Sequence, residues 1–516
     1  MSKSISNNKT IAKNTFFLYF NMMFTMLVAL YTSRVVLQVL GVEDFGIYQT
    51  VGGVVMMLSS VNGALSTGSS RFLTYELGRG DTEKLQKTFS TTLTIHIILA
   101  LLIALVAETF GLWFVYNKLV IAPDRLHAAV IAYHLSILTA LITITQVPYT
   151  ASIISHEKMS IYAYLSIVEV ILKLSVVYLL TISHWDKLIV YAVLLCILQI
   201  SIALFYRFYC IKNFRETHFR MIFDKRIMKD ILSYSGWNLW ANTTIAFINQ
   251  GATVLINLFF LPTVVTARAI ANQVNMAANQ FVSNFRTAAN PQIVKRYAAG
   301  DYDGSKRLLL SSTKYSYFMM LSLCLPVCLV AEPLIQLWLG QIPEYTVIFL
   351  QLTIVTSLFQ VFDSSFYTAL YAKGQIKENA MISPTILFLA FPITYLLFKL
   401  GYGPVSLAWV LLIGYSIVGL IVKPILIIKI AMYTWKDIFS VFIPCIKVTI
   451  AAIPIPCLLY IYRNELFSNS VVSFLTLSIV SVVCVSTASW IMGIDKEVKN
   501  KLIGFAKMKI KAIKRD

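Results

Sequence analysis

Charged residues are scarce in this chain of 516 residues, where they make up 13 % against 58 % for hydrophobic residues. A soluble domain carries about a quarter of its residues as charges, so this scarcity excludes a water-soluble globular protein. The strict alternation of polar and apolar residues that is typical of an outer-membrane barrel is also missing. Apolar runs of about 20 residues take its place, and they predict an all-α polytopic membrane protein.

Several chemical motifs are absent as well. The seven cysteines form no CxxC pair, which argues against a zinc site and against a disulfide framework. No GxxxxGK[ST] loop is present, so nucleotide binding by that route is not expected. The polar start "MSKSISNNKT" precedes a span too long for a signal peptide, and no cleavable signal is expected. The sequence predicts no cofactor.

Apolar runs broken by charges or by Pro/Gly clusters predict about 14 membrane spans. Six spans lie in each of two repeats, and two more follow. In order, the predicted spans are 14–38, 44–68, 89–111, 127–152, 160–182, 187–209, 231–259, 263–284, 314–339, 346–371, 380–399, 404–428, 437–461 and 470–493.

Lysine and arginine predict the orientation of these spans. With the N-terminus inside, 33 of the 43 Lys and Arg residues fall on the inner side and 5 on the outer side. This asymmetry follows the positive-inside rule and predicts that both termini are cytoplasmic. The tail 495–516 is predicted to be a basic amphipathic segment that binds anionic membrane lipids. Nucleic-acid binding is the alternative for such a tail, and we do not expect it.

The chain repeats itself internally. Gly80–Asp81 matches Gly300–Asp301 at an offset of 220, and Tyr149–Thr150–Ala151 matches Tyr367–Thr368–Ala369 at an offset of 218. Two blocks at nearly one offset indicate a duplication, and because six spans is an even number the two copies run parallel. The predicted organisation is a six-helix lobe at 1–212, a basic cytoplasmic linker at 213–230, a second six-helix lobe at 231–430, helices 13 and 14 at 431–494, and the tail.

A first span that ends in "SRVVLQVLGVEDFGIYQTV", the inner segment "SSRFLTYELGRGD" and fourteen spans together resemble the O-antigen (Wzx-type) polysaccharide flippases. These belong to the multidrug/oligosaccharidyl-lipid/polysaccharide exporter superfamily. The resemblance implies a bacterial inner-membrane protein of polysaccharide or lipopolysaccharide biosynthesis. It would flip an undecaprenyl-diphosphate-linked oligosaccharide, a repeat unit of O-antigen or of capsular or exopolysaccharide, to the outer leaflet. The resemblance also implies alternating access driven by a proton or Na⁺ gradient, with a polysaccharide polymerase and a chain-length regulator as further partners.

An anionic headgroup with sugars needs buried cations together with amides and hydroxyls. Arg268, Asn272, Asn275 and Asn279 step by four, three and four, which draws one helical stripe. Such a stripe either lines a cavity or joins two helices, and we favour the cavity. The resemblance extends the diphosphate-binding role of family arginines to Arg34 and Arg268. The predicted substrate-binding residues are Arg34, Asn242, Asn249, Arg268, Asn272, Asn275, Asn279 and Lys423.

Each of these assignments has a plainer alternative. Gly41 lies seven residues beyond Arg34, about 10 Å along a helix, so Arg34 is also placed to reach the membrane surface. Arg268 opens its predicted span and has the same alternative. Lys423 is equally placed to reach the inner surface.

Carboxylates within spans are candidates for ion coupling. Glu169 and Lys173 lie four residues apart, and Asp363 lies deep in the tenth span. Glu169, Lys173 and Asp363 are therefore the predicted coupling residues, although the first two would also suit a packed ion pair. His96 and His134 stand alone in their spans, and we expect hydrogen-bonded packing histidines rather than a proton relay.

Two other functions fit the composition less well. A multidrug exporter of the same fold would need an acidic, aromatic cavity, whereas buried cations here outnumber Glu169 and Asp363. A membrane-embedded polysaccharide polymerase or acyltransferase would need a sizeable outer loop to hold its site, and the outer loops run to about 15 residues. The sequence therefore predicts a transporter and not an enzyme.

Overall fold

The computed structural model describes most of the chain. Its described residues are 2–59, 69, 72–73, 76–77, 81–156, 158–220, 224–229, 244–245, 247–375, 377–467, 469–495 and 499–500. Across these residues the fold is helical, without a β-strand, as predicted. The long helices are α1 (Ser2–Ser59), α2 (Thr82–Asn117), α3 (Leu126–Ser155), α4 (Met159–Ile182), α5 (Lys187–Asn213), α6 (Phe247–Phe259), α7 (Pro262–Ala298), α8 (Tyr302–Leu329), α9 (Ala331–Leu339), α10 (Thr346–Lys373), α11 (Lys377–Lys399), α12 (Ser406–Ala431), α13 (Trp435–Ile461) and α14 (Ser470–Gly493).

Eight of these helices are long and apolar enough to cross a membrane: α2, α3, α5 and α10 to α14. A ninth span results if α8 and α9, which meet at a bend of 81°, are counted as one. Each of the nine coincides with a predicted span, which confirms a multi-pass helical membrane protein. The total of 14 spans and the cytoplasmic position of the termini stay predictions.

Helix α1 is broken at Gly41, between the first two predicted spans. Gly41 has φ 80° and ψ 170°, a left-handed backbone conformation that residues with a Cβ adopt only with strain. Directly after the break, the Val42 carbonyl accepts a hydrogen bond from the Thr266 hydroxyl at 2.6 Å. A glycine in the sequence thus places the boundary between two spans.

The repeated Gly–Asp pair has a structural explanation. Gly300 ends α7 with φ 80°, and the Asp301 carboxylate then accepts a hydrogen bond from the Gly304 amide at the start of α8. In the first repeat, the Asp81 carboxylate accepts from the Lys84 amide at the start of α2. Both aspartates are N-caps, which satisfy otherwise unpaired amides of the first helical turn.

The chain forms two compact units. Unit 1 comprises Met1–Ile270, Pro343–Thr346 and Ala380–Leu407, and unit 2 comprises Ala271–Ile342, Val347–Asn379 and Ala408–Asp516. These bounds differ from the lobes predicted from the repeat, and the lobe division stays a prediction. In unit 2 the aromatic core holds α10 in place, because Phe362 stacks on Tyr317 with ring centroids 5.2 Å apart.

Candidate functional site

A buried cation lies at the centre of unit 2. Lys423 on α12 is 3 % exposed, and its Nζ lies 2.9 Å from Oδ1 of Asp363 on α10. The same Nζ donates a hydrogen bond to Oδ1 of Asn379 and lies 5.4 Å from the ring centroid of Tyr367. We call Lys423, Asp363, Asn379 and Tyr367 the Lys423 centre. A buried ammonium needs such partners, because desolvation of an unpaired charge is costly.

A glycine brings α12 close enough to α10 for this contact. Gly419 lies in a π-helical turn, Val418–Val422, directly before Lys423. A Cβ built on Gly419 would lie 2.6 Å from the backbone oxygen of Phe359, so only glycine fits there without a shift. Single π-helical turns within α-helices are frequent at functional sites. The local sequence thus sets the distance over which Lys423 reaches Asp363.

A polar seam joins α7 to α10 beside this centre. Asn279 donates a hydrogen bond to the Ser357 hydroxyl at 2.9 Å, and Thr368 donates to Oδ1 of Asn290 at 3.3 Å. Between these two levels, Arg286 donates to the Ser364 hydroxyl. The two partners lie 78 positions apart at all three levels, so the helices run parallel and in register. We call these contacts the α7–α10 seam.

Arg286 is a second cation near the Lys423 centre. Its guanidinium lies within the electrostatic influence of Asp363, the residue next to its partner Ser364. Two cations, Arg286 and Lys423, therefore surround one carboxylate among the described residues of this region. Such an arrangement suits an anionic group that brings one further negative charge.

The predicted amide stripe is part of the seam. The Oδ1 of Asn275 accepts a hydrogen bond from the Ser357 hydroxyl, and Asn279 bonds to the same residue. These two amides make the helix–helix contact that was the alternative to cavity lining; Asn272 is half-buried on the same helix. Sequence reasoning missed Arg286 because the predicted span ended at 284. The same three-and-four stepping, continued past that end, reaches Arg286 and Asn290.

Arg268 is satisfied within unit 1. It is 6 % exposed, and its Nη1 donates to the Asn249 carbonyl at 3.2 Å and to the Thr253 hydroxyl at 2.7 Å. Asn249 lies in the π-helical turn Phe247–Gly251, and it bonds Arg268 through its backbone while its side chain is exposed. A role of either residue in substrate binding stays a prediction. Asn242 lies outside the described residues.

The other predicted residues are more exposed. Arg34 is half-buried on α1, in the last two turns before the break at Gly41. Glu169 and Lys173 pair on α4 with 2.7 Å between Oε1 and Nζ, and their side chains are 39 % and 49 % exposed. An i,i+4 pair of this exposure neutralises itself, and its coupling role stays a prediction.

An arginine clamp joins three helices of unit 1. Arg125, at the start of α3, contacts Asp44 through Nε at 2.8 Å and Asp186 through Nη1 at 2.6 Å. The hydrogen bonds that the guanidinium donates to Asp186 and Asp44 raise its pKa. At Asp186, the hydrogen bonds from Arg125 and from backbone amides outweigh burial and lower the pKa of the carboxylate. We call Arg125, Asp44 and Asp186 the Arg125 clamp.

The two span histidines differ. His96 is fully buried, and its Nδ1 lies 2.9 Å from the Thr92 carbonyl, as a packing histidine would. The Nδ1 of His134 lies 3.0 Å from Oε1 of Glu108. The sequence analysis did not predict this partner. Glu108 lies in a π-helical turn of α2 whose Ala107 carbonyl accepts a hydrogen bond from the Tyr133 hydroxyl. The signal was available in the sequence, since Glu108 is a carboxylate inside the third predicted span.

Comparison with solved structures shows the fold. A multidrug resistance MATE family transporter of the MOP superfamily, inward-facing, matches with a TM-score of 0.69 and 14 % identity over 79 % of this chain and 95 % of that chain. The lipid II flippase MurJ, inward closed, matches with a TM-score of 0.68 and 14 % identity over 92 % and 98 %. A MOP superfamily transporter from Pyrococcus furiosus matches with a TM-score of 0.58 and 15 % identity over 80 % and 95 %.

Comparison of the sequence with curated proteins and with family models shows the family of the chain. No curated protein matches the chain. The family model described as "Polysaccharide biosynthesis protein" matches residues 11–297, which is more than half of the 516 residues. The chain therefore belongs to the polysaccharide biosynthesis protein family, on the fold shared by the MOP superfamily transporters.

Proposed function

We propose that the protein is a transporter that flips an undecaprenyl-diphosphate-linked oligosaccharide across the bacterial inner membrane. The family match and the transporter fold support the transport of a polysaccharide precursor. The similarity to a lipid II flippase supports a lipid-linked substrate.

The charges at the Lys423 centre are the observation that favours an anionic substrate. Among the described residues, Lys423 and Arg286 outnumber the carboxylate of Asp363 there. A diphosphate headgroup would supply the missing negative charge through charge-assisted hydrogen bonds. The amides and hydroxyls of the α7–α10 seam supply donors and acceptors of the kind that sugars need.

Ion coupling in this proposal depends on Asp363. When its carboxylate is charged, Lys423 is already neutralised at 2.9 Å. Binding of a proton or Na⁺ to that carboxylate would free the ammonium charge for the phosphate. The pair Glu169–Lys173 is the second coupling candidate, with the same chemistry on a more exposed helix face.

The test is complementation of a deletion strain. The host lacking this protein should accumulate the lipid-linked oligosaccharide in the cytoplasmic leaflet, and the wild-type gene should clear it. Lys423→Gln and Arg286→Gln should fail to clear it, whereas the exposed controls Lys429→Gln and Arg296→Gln should succeed. Normal flipping in the deletion strain, with a loss of resistance to cationic drugs instead, would contradict the proposal and favour a multidrug exporter of this fold.

A further inference from the structure

The internal repeat places a second cation over a tyrosine. The offset of 218 that matches Tyr149 with Tyr367 also matches Thr145 with Asp363. In unit 2, Lys423 lies over the Tyr367 ring and beside Asp363. The first repeat holds Arg207 in the equivalent position on α5, at an offset of 216.

The geometry around Arg207 repeats that of the Lys423 centre. The Arg207 guanidinium carbon lies 5.8 Å from the ring centroid of Tyr149. Its Nη2 donates a hydrogen bond to the Thr145 hydroxyl at 2.6 Å. The Cys210 thiol contacts the Tyr149 carbonyl at 3.4 Å, which holds α5 against α3 at this level. We call Arg207, Thr145 and Tyr149 the Arg207 site.

The two sites differ in one chemical respect. Asp363 neutralises Lys423, whereas Thr145 offers Arg207 a neutral hydroxyl. No carboxylate of the described residues lies within 4 Å of the Arg207 nitrogens, and the buried Nε has no hydrogen-bond partner among those residues. An arginine guanidinium presents a planar fork of donors that fits two oxygens of a phosphate. Within the part of the chain that the structure describes, Arg207 therefore has no carboxylate partner and one unused donor.

A pair of amide side chains lies on the same two helices, α3 and α5. Gln146 follows Thr145 on α3, and its Oε1 accepts a hydrogen bond from Gln199 of α5 at 3.1 Å. Gln199 precedes Arg207 by eight residues, so both side chains lie on one face of α5. The positive-inside orientation puts this end of α5 at the cytoplasmic leaflet, where lipid phosphates lie.

We propose that the Arg207 site binds the phosphate group of a lipid at the cytoplasmic leaflet, and that the Lys423 centre is its duplicate, in which Asp363 occupies the place of the phosphate until it binds a proton or Na⁺. On the proposed flippase function, the lipid is the diphosphate-linked substrate at loading. Bulk anionic phospholipid is the other source of the same chemistry.

The experiment transplants the carboxylate of the second repeat into the first. Full-length Thr145→Asp and Thr145→Asn proteins differ by one charge at nearly constant shape. Their affinity for farnesyl diphosphate, a soluble prenyl diphosphate, is measured by calorimetry in phosphatidylcholine nanodiscs, with farnesol as the uncharged probe. Arg207→Gln, Arg207→Lys and the exposed control Lys212→Gln complete the set. Thermal melting of each variant reports on folding.

Thr145→Asp should bind farnesyl diphosphate about 10-fold to 100-fold more weakly than Thr145→Asn, the range expected for a charge-assisted hydrogen bond. Arg207→Gln should lose affinity by a similar factor, Arg207→Lys by less, and Lys212→Gln should match wild type. Farnesol binding should be the same in all variants. Equal diphosphate affinity in wild type, Arg207→Gln and Thr145→Asp would overturn the proposal.

Nanodiscs containing phosphatidylglycerol distinguish the two sources. If phosphatidylglycerol displaces farnesyl diphosphate from wild type, the phosphate site stands and bulk phospholipid is its occupant; if it does not, the prenyl diphosphate is the ligand. The result is independent of the complementation test. Diphosphate binding that depends on Arg207, in a strain where deletion leaves flipping normal, would keep the site and refute the flippase function.

Discussion

Replacement of Arg125 by alanine should destabilise unit 1 through the Arg125 clamp. Arg125 holds together α1 at Asp44, the start of α3 and the start of α5. The Asp186 carboxylate also caps α5, because it accepts a hydrogen bond from the Leu188 amide. The substitution leaves two carboxylates that face each other without a cation. The loss should therefore exceed that of an ordinary surface pair.

The solvent exposure of the three side chains in the Arg125 clamp determines how much unfolding free energy is lost. The side chains of Arg125, Asp44 and Asp186 are 23 %, 15 % and 30 % exposed. Exposed pairs contribute about 0.2 to 1 kcal/mol, and removal of one partner of a fully buried pair costs about 3 to 5 kcal/mol. The clamp lies between these limits, and we expect a loss of about 2 to 3 kcal/mol in the free energy of unfolding.

Equilibrium unfolding in mixed micelles with added SDS measures this loss. Lys118→Ala is the matched control, because Lys118 is an exposed cation of the same loop and its ammonium lies over the Trp113 ring. It should change the free energy by less than about 0.5 kcal/mol. The deficit of Arg125→Ala should narrow as the pH falls and the two aspartates take up protons. A loss no larger than that of Lys118→Ala would refute the reasoning.

Three further outcomes follow from named contacts. Gly419→Ala should cost about 1 to 3 kcal/mol in SDS unfolding, because its Cβ would meet the Phe359 oxygen at 2.6 Å, while Gly403→Ala, with open space around it, should cost far less; equal costs would contradict the close approach of α12 to α10. The pKa of Asp186 is lowered, so its contribution is present above the ordinary value of 3.8 and is lost as the pH falls below it; Asp186→Asn should flatten this acid limb, and an unchanged limb would exclude Asp186 as its cause. Asn279→Ala should lower unfolding stability by about 0.5 to 1.5 kcal/mol if the amide stripe joins helices, whereas reduced flipping at full stability would instead favour cavity lining.

The repeat and the helix ends could be predicted because they depend on local sequence. Gly41 ends one helix and begins another through a backbone conformation that glycine adopts without strain. The aspartate of the repeated Gly–Asp pair is an N-cap in both repeats. These features need no information about distant neighbours.

Helix α7 extends beyond the end of the predicted span, and this difference has a physical reason. The sequence loses hydropathy after 284, so the predicted span stopped there, yet the helix continues to Ala298. Arg286 and Asn290 remain helical where hydroxyls of α10 satisfy them. A partner helix therefore decides whether a polar stretch inside a membrane protein is a loop or a packed helix.

The sequence by itself determined that the chain crosses a membrane many times, because insertion depends on the summed hydropathy of about 20 consecutive residues. It also identified Lys423, Asp363 and Arg268 as charges that need an explanation inside the membrane. The tertiary structure alone decided their partners: Asp363 for Lys423, a π-helical turn for Arg268, and Thr145 for Arg207. Which side chains meet depends on the rotation and separation of packed helices, and those are set by contacts such as that of Gly419 with Phe359.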